Sequence, residues 1–275
     1  MQNTMEKKFS LRPFQCSMKI LFLIPCLLVS TFGFTQQKKI KTVEIDGIQA
    51  AYVDRPGDLY IKQKDNLIKK FDFQGKLIRE IKFDHPITTF DPRDGARMFV
   101  YFTKTQRCEF FSQETKQEFV IEQHYAIEPT LTCSSGDHQL WILDRSDWSI
   151  KRVNPIQSKV MAEGRIDQKQ FSIPPQFTFM REYQNFLFLI EKNSGILIFN
   201  SLGIQIKKIE APEVEYINFL GEELYYKRND KLIFYDLFDA STREQSVDPA
   251  CHFALLTDTR TFLTYSDRVE IYENH

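Results

Sequence analysis

Short apolar runs separated by polar turns recur along most of this chain. The segment NFLFLIEKNSGILIFN, residues 185–200, contains two such runs, at 186–190 and 196–199. Each run is far shorter than the roughly 20 residues of a membrane-spanning helix, and neither repeats every three to four positions as a helix face would. Runs of this length are typical of strands that are buried on both faces. The pattern therefore predicts an all-β fold.

The strand pattern repeats six times. The strongest apolar strand of each unit begins near an anchor residue, and the anchors are Leu59, Met98, Leu140, Phe186, Leu224 and Phe262, at spacings of 38 to 46 residues. A proline lies 11 to 13 residues before five of these anchors, with a short strand between, and a second apolar strand follows each anchor after a polar turn. A fourth strand follows in several units. Four strands in about 40 residues are typical of a propeller blade.

The repeat predicts a single domain over residues 36–275, a six-bladed β-propeller with four-stranded antiparallel blades. An ordinary β-sandwich is the alternative, but it does not require the same order of proline, charged turn and apolar run six times. The sixth unit ends after its third strand, whereas KIKTVEI, residues 39–45, precedes the first unit. Because an unpaired sheet edge is unfavourable, we expect this N-terminal strand to complete the last blade.

The aligned units resemble the six-bladed propellers of the NHL and TolB-like type. The likeness rests on LWILD at 140–144, KFDFQGKLI at 70–78 and IFNSLGIQI at 198–206, and it covers essentially all of residues 36–275. The resemblance implies a fold that binding modules and several enzymes share, and it implies no particular chemistry. Units two and three depart from the family pattern, because FFSQETK and VNPIQSK replace the FD-x-x-G turn.

The N-terminal segment has the pattern of a secretory signal peptide. Met18 and Lys19 precede a 15-residue apolar segment that ends in small residues. Residues 1–35 are therefore predicted to be a cleaved leader, with Met18 as a possible true start. Such a leader directs the protein to the periplasm, the outer membrane or the cell exterior, and leaves no transmembrane helix after cleavage. Lipidation at Cys26 is the alternative, although Pro25 precedes that cysteine where a small residue is usual.

Composition excludes some classes of function. The net charge is -1 and basic residues alternate with acidic ones, so no nucleic-acid partner is predicted. Cys108, Cys133 and Cys251 remain after removal of the leader, and their spacings match no zinc or redox motif. We expect buried free thiols, and a disulfide between two of them stays open.

Candidate chemistry concentrates in loops. No serine-hydrolase elbow, zinc-protease motif, P-loop or dinucleotide-binding motif occurs, so no catalytic set, metal site or cofactor is predicted. The loops that lead into strand 1 and the turns between strands 2 and 3 should meet at one mouth of the channel. The candidate binding residues there are His85, His124, Tyr125, Asp144, Trp148, Arg228 and His252. The three histidines could converge, but scattered loop histidines are the preferred interpretation, and Trp148 could equally pack between blades.

The turns between strands 1 and 2 are also charged and should form a ring on the opposite face. They are expected at residues 54–58, 91–97, 181–182, 222–223 and 258–260. We interpret this ring as a soluble, turn-forming surface, with a partner surface as the alternative. The segment SSGDH, residues 134–138, is interpreted as a turn, because neighbours in a tight turn cannot converge as a catalytic triad.

The sequence predicts a non-enzymatic binding or scaffold module of the bacterial cell envelope. Its partner would be an envelope protein or protein complex, or a glycan. The alternative is an envelope enzyme of the lactonase, hydrolase or quinoprotein kind, with a site at the mouth of the central channel.

Overall fold

The computed structural model describes residues 38–136 and 138–274. Within these residues 24 β-strands form six separate antiparallel sheets of four strands, arranged in a ring as the blades of a propeller. The predicted leader, residues 1–35 with Met18 and Cys26, lies outside the described residues. Within the described part of the chain no helix is long and apolar enough to cross a membrane. The predicted six-bladed architecture is confirmed.

Blades 1 to 5 use their strands in sequence order, from the central channel to the rim. Blade 1 contains β2 (Ala50–Val53), β3 (Leu59–Lys62), β4 (Leu67–Phe71) and β5 (Leu77–Lys82). Blade 2 contains β6 (Thr89–Asp91), β7 (Met98–Phe102), β8 (Arg107–Phe111) and β9 (Lys116–Val120). Blade 3 contains β10 (Pro129–Ser135), β11 (Gln139–Asp144), β12 (Ser149–Asn154) and β13 (Lys159–Arg165).

The remaining blades complete the ring. Blade 4 contains β14 (Phe177–Tyr183), β15 (Phe186–Glu191), β16 (Gly195–Phe199) and β17 (Gln205–Glu210). Blade 5 contains β18 (Asn218–Leu220), β19 (Glu223–Arg228), β20 (Lys231–Asp236) and β21 (Thr242–Ser246). Blade 6 contains β22 (Phe253–Leu256), β23 (Arg260–Thr264) and β24 (Arg268–Glu273), and β1 (Lys38–Glu44) forms its outer strand.

The N-terminal strand closes the ring as expected. β1 pairs antiparallel with β24, with Lys38 opposite Glu273 and Glu44 opposite Arg268. Val43 and Ile45 are 9% and 7% exposed and belong to the core between blades 6 and 1. The chain thus gains a paired sheet edge and a buried apolar contact from the same short segment.

The hydrophobic core lies between the faces of adjacent blades. In one cluster, Phe188 of blade 4 packs with Leu224 and Tyr226 of blade 5. The middle strands are covered on both sides, and all five residues of β7 and of β16 are buried. This double burial explains why the middle strands appear in the sequence as continuous apolar runs. The outer strands, such as β17, are mostly exposed or half-buried.

Blades 3 and 4 approach each other at the level of the backbone. Gly164 in β13 lies against Gly203 in the turn after β16, and a Cβ atom on Gly164 would be 1.8 Å from the Gly203 carbonyl oxygen. Gly203 has a φ of +78°, a left-handed backbone conformation that also favours glycine at this position. Two glycines therefore permit this contact at the outer part of the ring.

The hairpin between β14 and β15 differs from the sequence-based expectation. The expectation that Arg181 and Glu182 lie in an exposed turn is wrong, because both are inside β14 and Arg181 is buried. The turn is formed two residues later by Gln184 and Asn185, whose φ values of 49° and 64° suit a tight hairpin. The expectation of buried free thiols is confirmed for all three described cysteines.

Candidate functional site

The turns that join strand 1 to strand 2 in each blade lie on one face of the propeller, which we call the 1–2-turn face. A pocket of about 550 Å³ opens on this face over blades 1 to 4. Its lining combines charged, hydroxyl and aromatic groups, among them Arg55, Arg93, Arg97, Ser135, Glu182, Phe110 and Tyr183. A concave site with a few convergent polar groups is the usual geometry for ligand binding.

Asp91 and Arg93 form a charge pair on the inner side of this pocket. Asp91 ends β6 and is buried, and its two carboxylate oxygens lie 3.0 and 2.9 Å from Arg93 Nε. Arg93 Nη2 lies 2.6 Å from Asp91 Oδ2. Burial alone raises the pKa of Asp91, but the charges of Arg93 and Arg181 outweigh burial and hold this pKa well below its usual range. Asp91 therefore stays ionised at neutral pH.

Glu182 is held in place by donors from blade 3. The Ser135 hydroxyl donates to its carboxylate at 2.6 Å, the Gly136 N–H donates at 3.4 Å, and the indole N–H of buried Trp141 donates as well. The backbone carbonyl of Glu182 accepts a hydrogen bond from Arg93. Both acidic groups on the inner wall, Asp91 and Glu182, are thus already engaged by protein donors.

Arg55 and Arg97 are the available cations of the pocket. Within residues 38–136 and 138–274, neither guanidinium forms an ion pair or a hydrogen bond. Arg55 is exposed at the rim, and the guanidinium carbon of Arg97 lies 3.8 Å from the centre of the Phe110 ring. Burial lowers the pKa of Arg97, an effect that Asp94 partly offsets, yet a guanidinium remains charged at neutral pH. Both side chains can therefore receive an anionic group.

The concave surface continues beyond this pocket. A neighbouring depression of about 200 Å³ shares Arg55, Arg93 and Tyr183 with it and reaches Asp258 of blade 6. Tyr183 separates the two, because its ring stacks on Phe219 at 4.1 Å and its hydroxyl donates to the Gly221 carbonyl at 2.6 Å. The 1–2-turn face thus offers an extended groove that both basic and acidic side chains line.

The predicted candidate residues lie elsewhere, in the loops leading into strand 1 and in the 2–3 turns. His85 is half-buried against Phe102, with ring centroids 5.9 Å apart, and His252 is exposed. His124 is exposed, and its ring centroid lies 3.8 Å from that of Tyr125 with the ring planes tilted by 43°. Tyr125 is itself 2% exposed and belongs to the core between blades 2 and 3.

The other three predicted residues have different surroundings. Asp144 is buried at the end of β11 and accepts backbone N–H groups of Ile127, Glu128 and Ser146 at 2.8 to 2.9 Å. Burial alone raises the pKa of Asp144, but these hydrogen bonds outweigh it and lower the pKa. Trp148 is half-buried, and its ring lies 5.8 Å from that of Phe177 in blade 4. Arg228 is exposed at the end of β19.

Few of the seven predicted residues are close to one another. His124 contacts Tyr125, and Lys151 Nζ lies 2.9 Å from the Tyr125 carbonyl oxygen and 3.9 Å from Asp144 Oδ2. In the part of the chain that the structure describes, no group of three or more His, Cys, Asp or Glu residues is placed to hold a metal ion.

The sequence placed Arg55, Arg93, Arg97 and Glu182 in the ring of charged turns, with a partner surface as the alternative, but it singled out neither these residues nor Ser135 as a site. The signal was present in the charged segment DPRDGAR, residues 91–97, and in the polar segment SSG, residues 134–136. Each segment alone is an ordinary turn. The pocket forms because the ring brings these two segments, from blades 2 and 3, beside Arg55 of blade 1 and Glu182 of blade 4.

Comparisons with known proteins support the fold. No known protein family matches this chain, and no curated protein matches it. Virginiamycin B lyase from Staphylococcus aureus is similar in structure, with a TM-score of 0.56 and 12% identity over 86% of this chain and 99% of the lyase. The β-propeller domain of Cps50 (Swd1) from Myceliophteria thermophila has a TM-score of 0.60 and 10% identity over 87% of this chain and 100% of that domain. These identities show a shared propeller fold and no shared activity.

A third similar structure is an extracellular domain. The extracellular domain of the one-component system BT4673 from B. thetaiotaomicron has a TM-score of 0.52 and 12% identity. The alignment covers 84% of this chain and 33% of that one. The six sheets of this chain make it a six-bladed β-propeller, and its similarity to these structures shows the fold alone.

Proposed function

We propose that this protein is an exported binding or scaffold module of the bacterial cell envelope, and that it holds an acidic segment of an envelope protein on its 1–2-turn face. The leader predicted at residues 1–35 supports export to the periplasm, the outer membrane or the cell exterior. The main observation is that Arg55 and Arg97 face a pocket of about 550 Å³ and that neither guanidinium has an ion-pair or hydrogen-bond partner in the described residues.

The electrostatics of the pocket favour an anionic ligand. Arg93 neutralises Asp91, and neutral donors together with a backbone N–H satisfy Glu182. The guanidiniums of Arg55 and Arg97 are therefore the cations that a ligand can bind, and the exposed carboxylate of Asp94, which accepts the Ala96 N–H, lies in the same lining. A guanidinium binds a carboxylate through two parallel hydrogen bonds, which are stronger than bonds between neutral groups.

The extent of the surface favours a protein over a small ligand. The pocket and the adjacent depression together reach blades 1 to 6, through residues such as Arg55, Ser135, Tyr183, Leu220 and Asp258. A stable protein interface covers about 800 Å² on each partner, far more than one small molecule contacts. An acidic glycan presents the same carboxylate groups, so it is the competing outcome of the experiment below.

A charge-reversal pair tests the face. We expect Arg55→Glu/Arg97→Glu to lose the partner that the wild-type protein captures from solubilised envelope, as measured by quantitative mass spectrometry. The matched control is Arg228→Glu, which reverses the charge of an exposed arginine on the opposite face. Arg228 is one of the binding residues predicted from the sequence. We expect this variant to retain the partner. Loss of the partner in Arg228→Glu, with retention in the double variant, would place the binding site on the opposite face.

Trp141 gives a direct optical signal from the pocket. Its indole N–H donates to Glu182, and Trp141 and Trp148 are the two tryptophans of the chain. In a Trp148→Phe background we expect hexaglutamate, but not hexaglutamine, to change the fluorescence of Trp141 in a saturable way. The additional Arg55→Glu/Arg97→Glu substitution should remove this response.

Three other results would contradict an acidic protein segment as the ligand of this face. A response to trigalacturonate alone would identify a glycan partner. No response to either acid would show that the pocket does not bind anions. A stoichiometric divalent ion in the purified protein, or a large cofactor-dependent rise in melting temperature, would favour the alternative of an envelope enzyme.

A further inference from the structure

The central channel contains a second, separate cavity. This cavity has a volume of about 240 Å³ and is lined by residues of the inner strands of blades 1, 2, 4, 5 and 6 and of the loops that lead into them. The main contributors are Tyr52, Phe90, Phe179, Arg181, Tyr216 and Phe253. It is too small for the sites of about 300–1,000 Å³ that hold drug-sized ligands. A ligand here would be a small molecule.

Aromatic rings form the wall of this cavity. Tyr52 packs edge-on against Phe90 with centroids 5.3 Å apart, and Tyr216 lies 5.0 Å from Phe253. Tyr52, Tyr216, Phe253 and Phe179 are only half-buried, although they lie on inner strands or directly before them. Their remaining surface faces the channel, which provides apolar area for the body of a small ligand.

Arg181 is the cation of this cavity. It is 6% exposed, and its guanidinium carbon lies 5.4 Å from the centre of the Phe179 ring. Nη1 donates to Asn218 Oδ1 at 2.9 Å, which is the one hydrogen bond of this side chain within the described residues. No carboxylate of these residues lies within 4.0 Å of the guanidinium. The other donors of Arg181 are therefore free to bind a ligand.

The carboxylate of Asp91 does not fully neutralise the positive charge of Arg181. Asp91 is close enough to affect the pKa of Arg181, but both of its oxygens bind Arg93. Burial lowers the pKa of Arg181, and the charge of Asp91 offsets only part of this effect. Two guanidiniums thus share one carboxylate. A buried charge without a full partner is unfavourable, and an anion in the cavity would supply the missing charge.

Tyr52 supplies a second donor. Its hydroxyl has no hydrogen-bond partner among residues 38–136 and 138–274, and it lies near Arg181 and Asp91. Burial raises the pKa of Tyr52 to about 12, so the hydroxyl keeps its proton at neutral pH. Glu215 is the only acidic residue in the described lining, and it is exposed.

We propose that the central channel binds a small organic carboxylate, with its apolar body between the aromatic rings and its carboxylate on Arg181 and the Tyr52 hydroxyl. The size of the cavity fits an acid on the scale of benzoate, phenylacetate or hexanoate. This site is separate from the groove on the 1–2-turn face, so it does not depend on the protein partner proposed above.

Titration calorimetry with paired probes tests the ligand chemistry. We expect benzoate and phenylacetate to bind the full mature chain at least tenfold more tightly than benzyl alcohol, which has a similar body and no charge. Equal affinity for the acid and the alcohol would overturn the role of Arg181 as an anion receptor. No binding of any of these probes would overturn the site itself.

Two variants locate the site. Arg181→Gln removes the charge and should weaken benzoate binding at least tenfold in a folded protein. Thr178→Trp should also abolish binding, because Thr178 lines the cavity, is exposed and has no contact with the charged groups. Thr178→Trp decides the question if Arg181→Gln does not fold.

The matched control is the double variant Arg55→Glu/Arg97→Glu on the other face, which should bind benzoate as the wild type does. The proposal fails if folded Arg181→Gln or Thr178→Trp binds benzoate normally. It also fails if only the double variant loses benzoate binding, since the acid would then occupy the groove on the 1–2-turn face.

Discussion

Lys39 Nζ and Glu270 Oε1 lie 2.8 Å apart and join the first described strand, β1, to the last, β24. Arg268 Nε lies 3.1 Å from the same carboxylate oxygen, and the Tyr272 hydroxyl donates to the other oxygen. This cluster lies on the strand pair that closes the ring. The stability of the propeller should therefore depend on residues of β1, far in sequence from the strand that they pair with.

Removal of β1 should destabilise the whole ring. A chain that begins at residue 46 loses the pairing with β24 and the buried side chains of Val43 and Ile45. Burial of one such side chain is worth about 1.5–3 kcal/mol, so we expect a loss of about 3–6 kcal/mol. Thermal unfolding of chains that begin at residues 36 and 46 measures this loss. A chain that begins at residue 39 is the control, and equal melting temperatures for all three would contradict ring closure by β1.

Acid should weaken the closure through Glu270. Burial alone raises the pKa of Glu270, but bonds from Lys39, Tyr272 and Arg268 outweigh burial and lower it from 4.5 to about 2. A lowered pKa means that this stabilisation is complete above about pH 4.5 and is lost as the pH falls towards 2.

The variant Glu270→Gln should therefore be less stable than wild type at pH 7 and should lose less stability between pH 5 and pH 2. Denaturant unfolding at a series of pH values measures the difference. Glu44→Gln changes an exposed acid in the same blade and should follow the wild-type curve. Parallel curves for Glu270→Gln and wild type would show that Glu270 does not stabilise the closed ring.

The contact between blades 3 and 4 should not tolerate a side chain. In Gly164→Ala the new Cβ atom would meet the Gly203 carbonyl oxygen at 1.8 Å, so the two backbones must separate. We expect a loss of stability of about 1–3 kcal/mol, as for other overpacked sites. Gly136→Ala is the matched control, because a Cβ atom there has no neighbour within 4 Å. Similar melting temperatures for both variants would mean that the blades can separate at no cost.

The fold could be predicted because every blade repeats the same pattern. The six anchors, from Leu59 to Phe262, all lie in the second strand of a blade, and the expected closing strand at 39–45 was found as β1 (Lys38–Glu44). Short apolar runs and turn residues are local properties of the chain, so they can be recognised in a single sequence. The ring then follows from stacking equivalent units.

The pocket could not be predicted in the same way. Arg93, Ser135 and Glu182 come from three different blades, and their contacts depend on how strand ends are aligned across blades. Arg181 was expected in an exposed turn because polar residues surround it in the sequence. In the structure the tight turn of this hairpin lies at Gln184 and Asn185, later in the chain than expected. Arg181 is therefore part of β14 and is buried in the channel. A small shift along one strand thus changed a surface residue into a buried one.

Asp91 should be essential for the stability of the channel. The charge of its carboxylate raises the pKa of the buried Arg181 against the effect of burial, and the same carboxylate binds Arg93. Asp91→Asn leaves both cations without this charge, and loss of one partner from a buried pair costs about 3–5 kcal/mol. Ser134→Ala is the control, because Ser134 Oγ lies 3.5 Å from Asp91 Oδ2 and contributes a weak neutral bond.

Benzoate should partly restore the stability of Asp91→Asn. If the channel binds carboxylates at Arg181, the ligand replaces some of the missing negative charge, and the melting temperature of Asp91→Asn should rise more with benzoate than that of wild type. A ligand that binds only the folded state stabilises it in proportion to the logarithm of its concentration, so a titration distinguishes binding from a general salt effect. Sodium chloride at equal ionic strength is the reference. An equal rise in melting temperature for Asp91→Asn and wild type would show that Asp91 and the ligand do not neutralise the same positive charge.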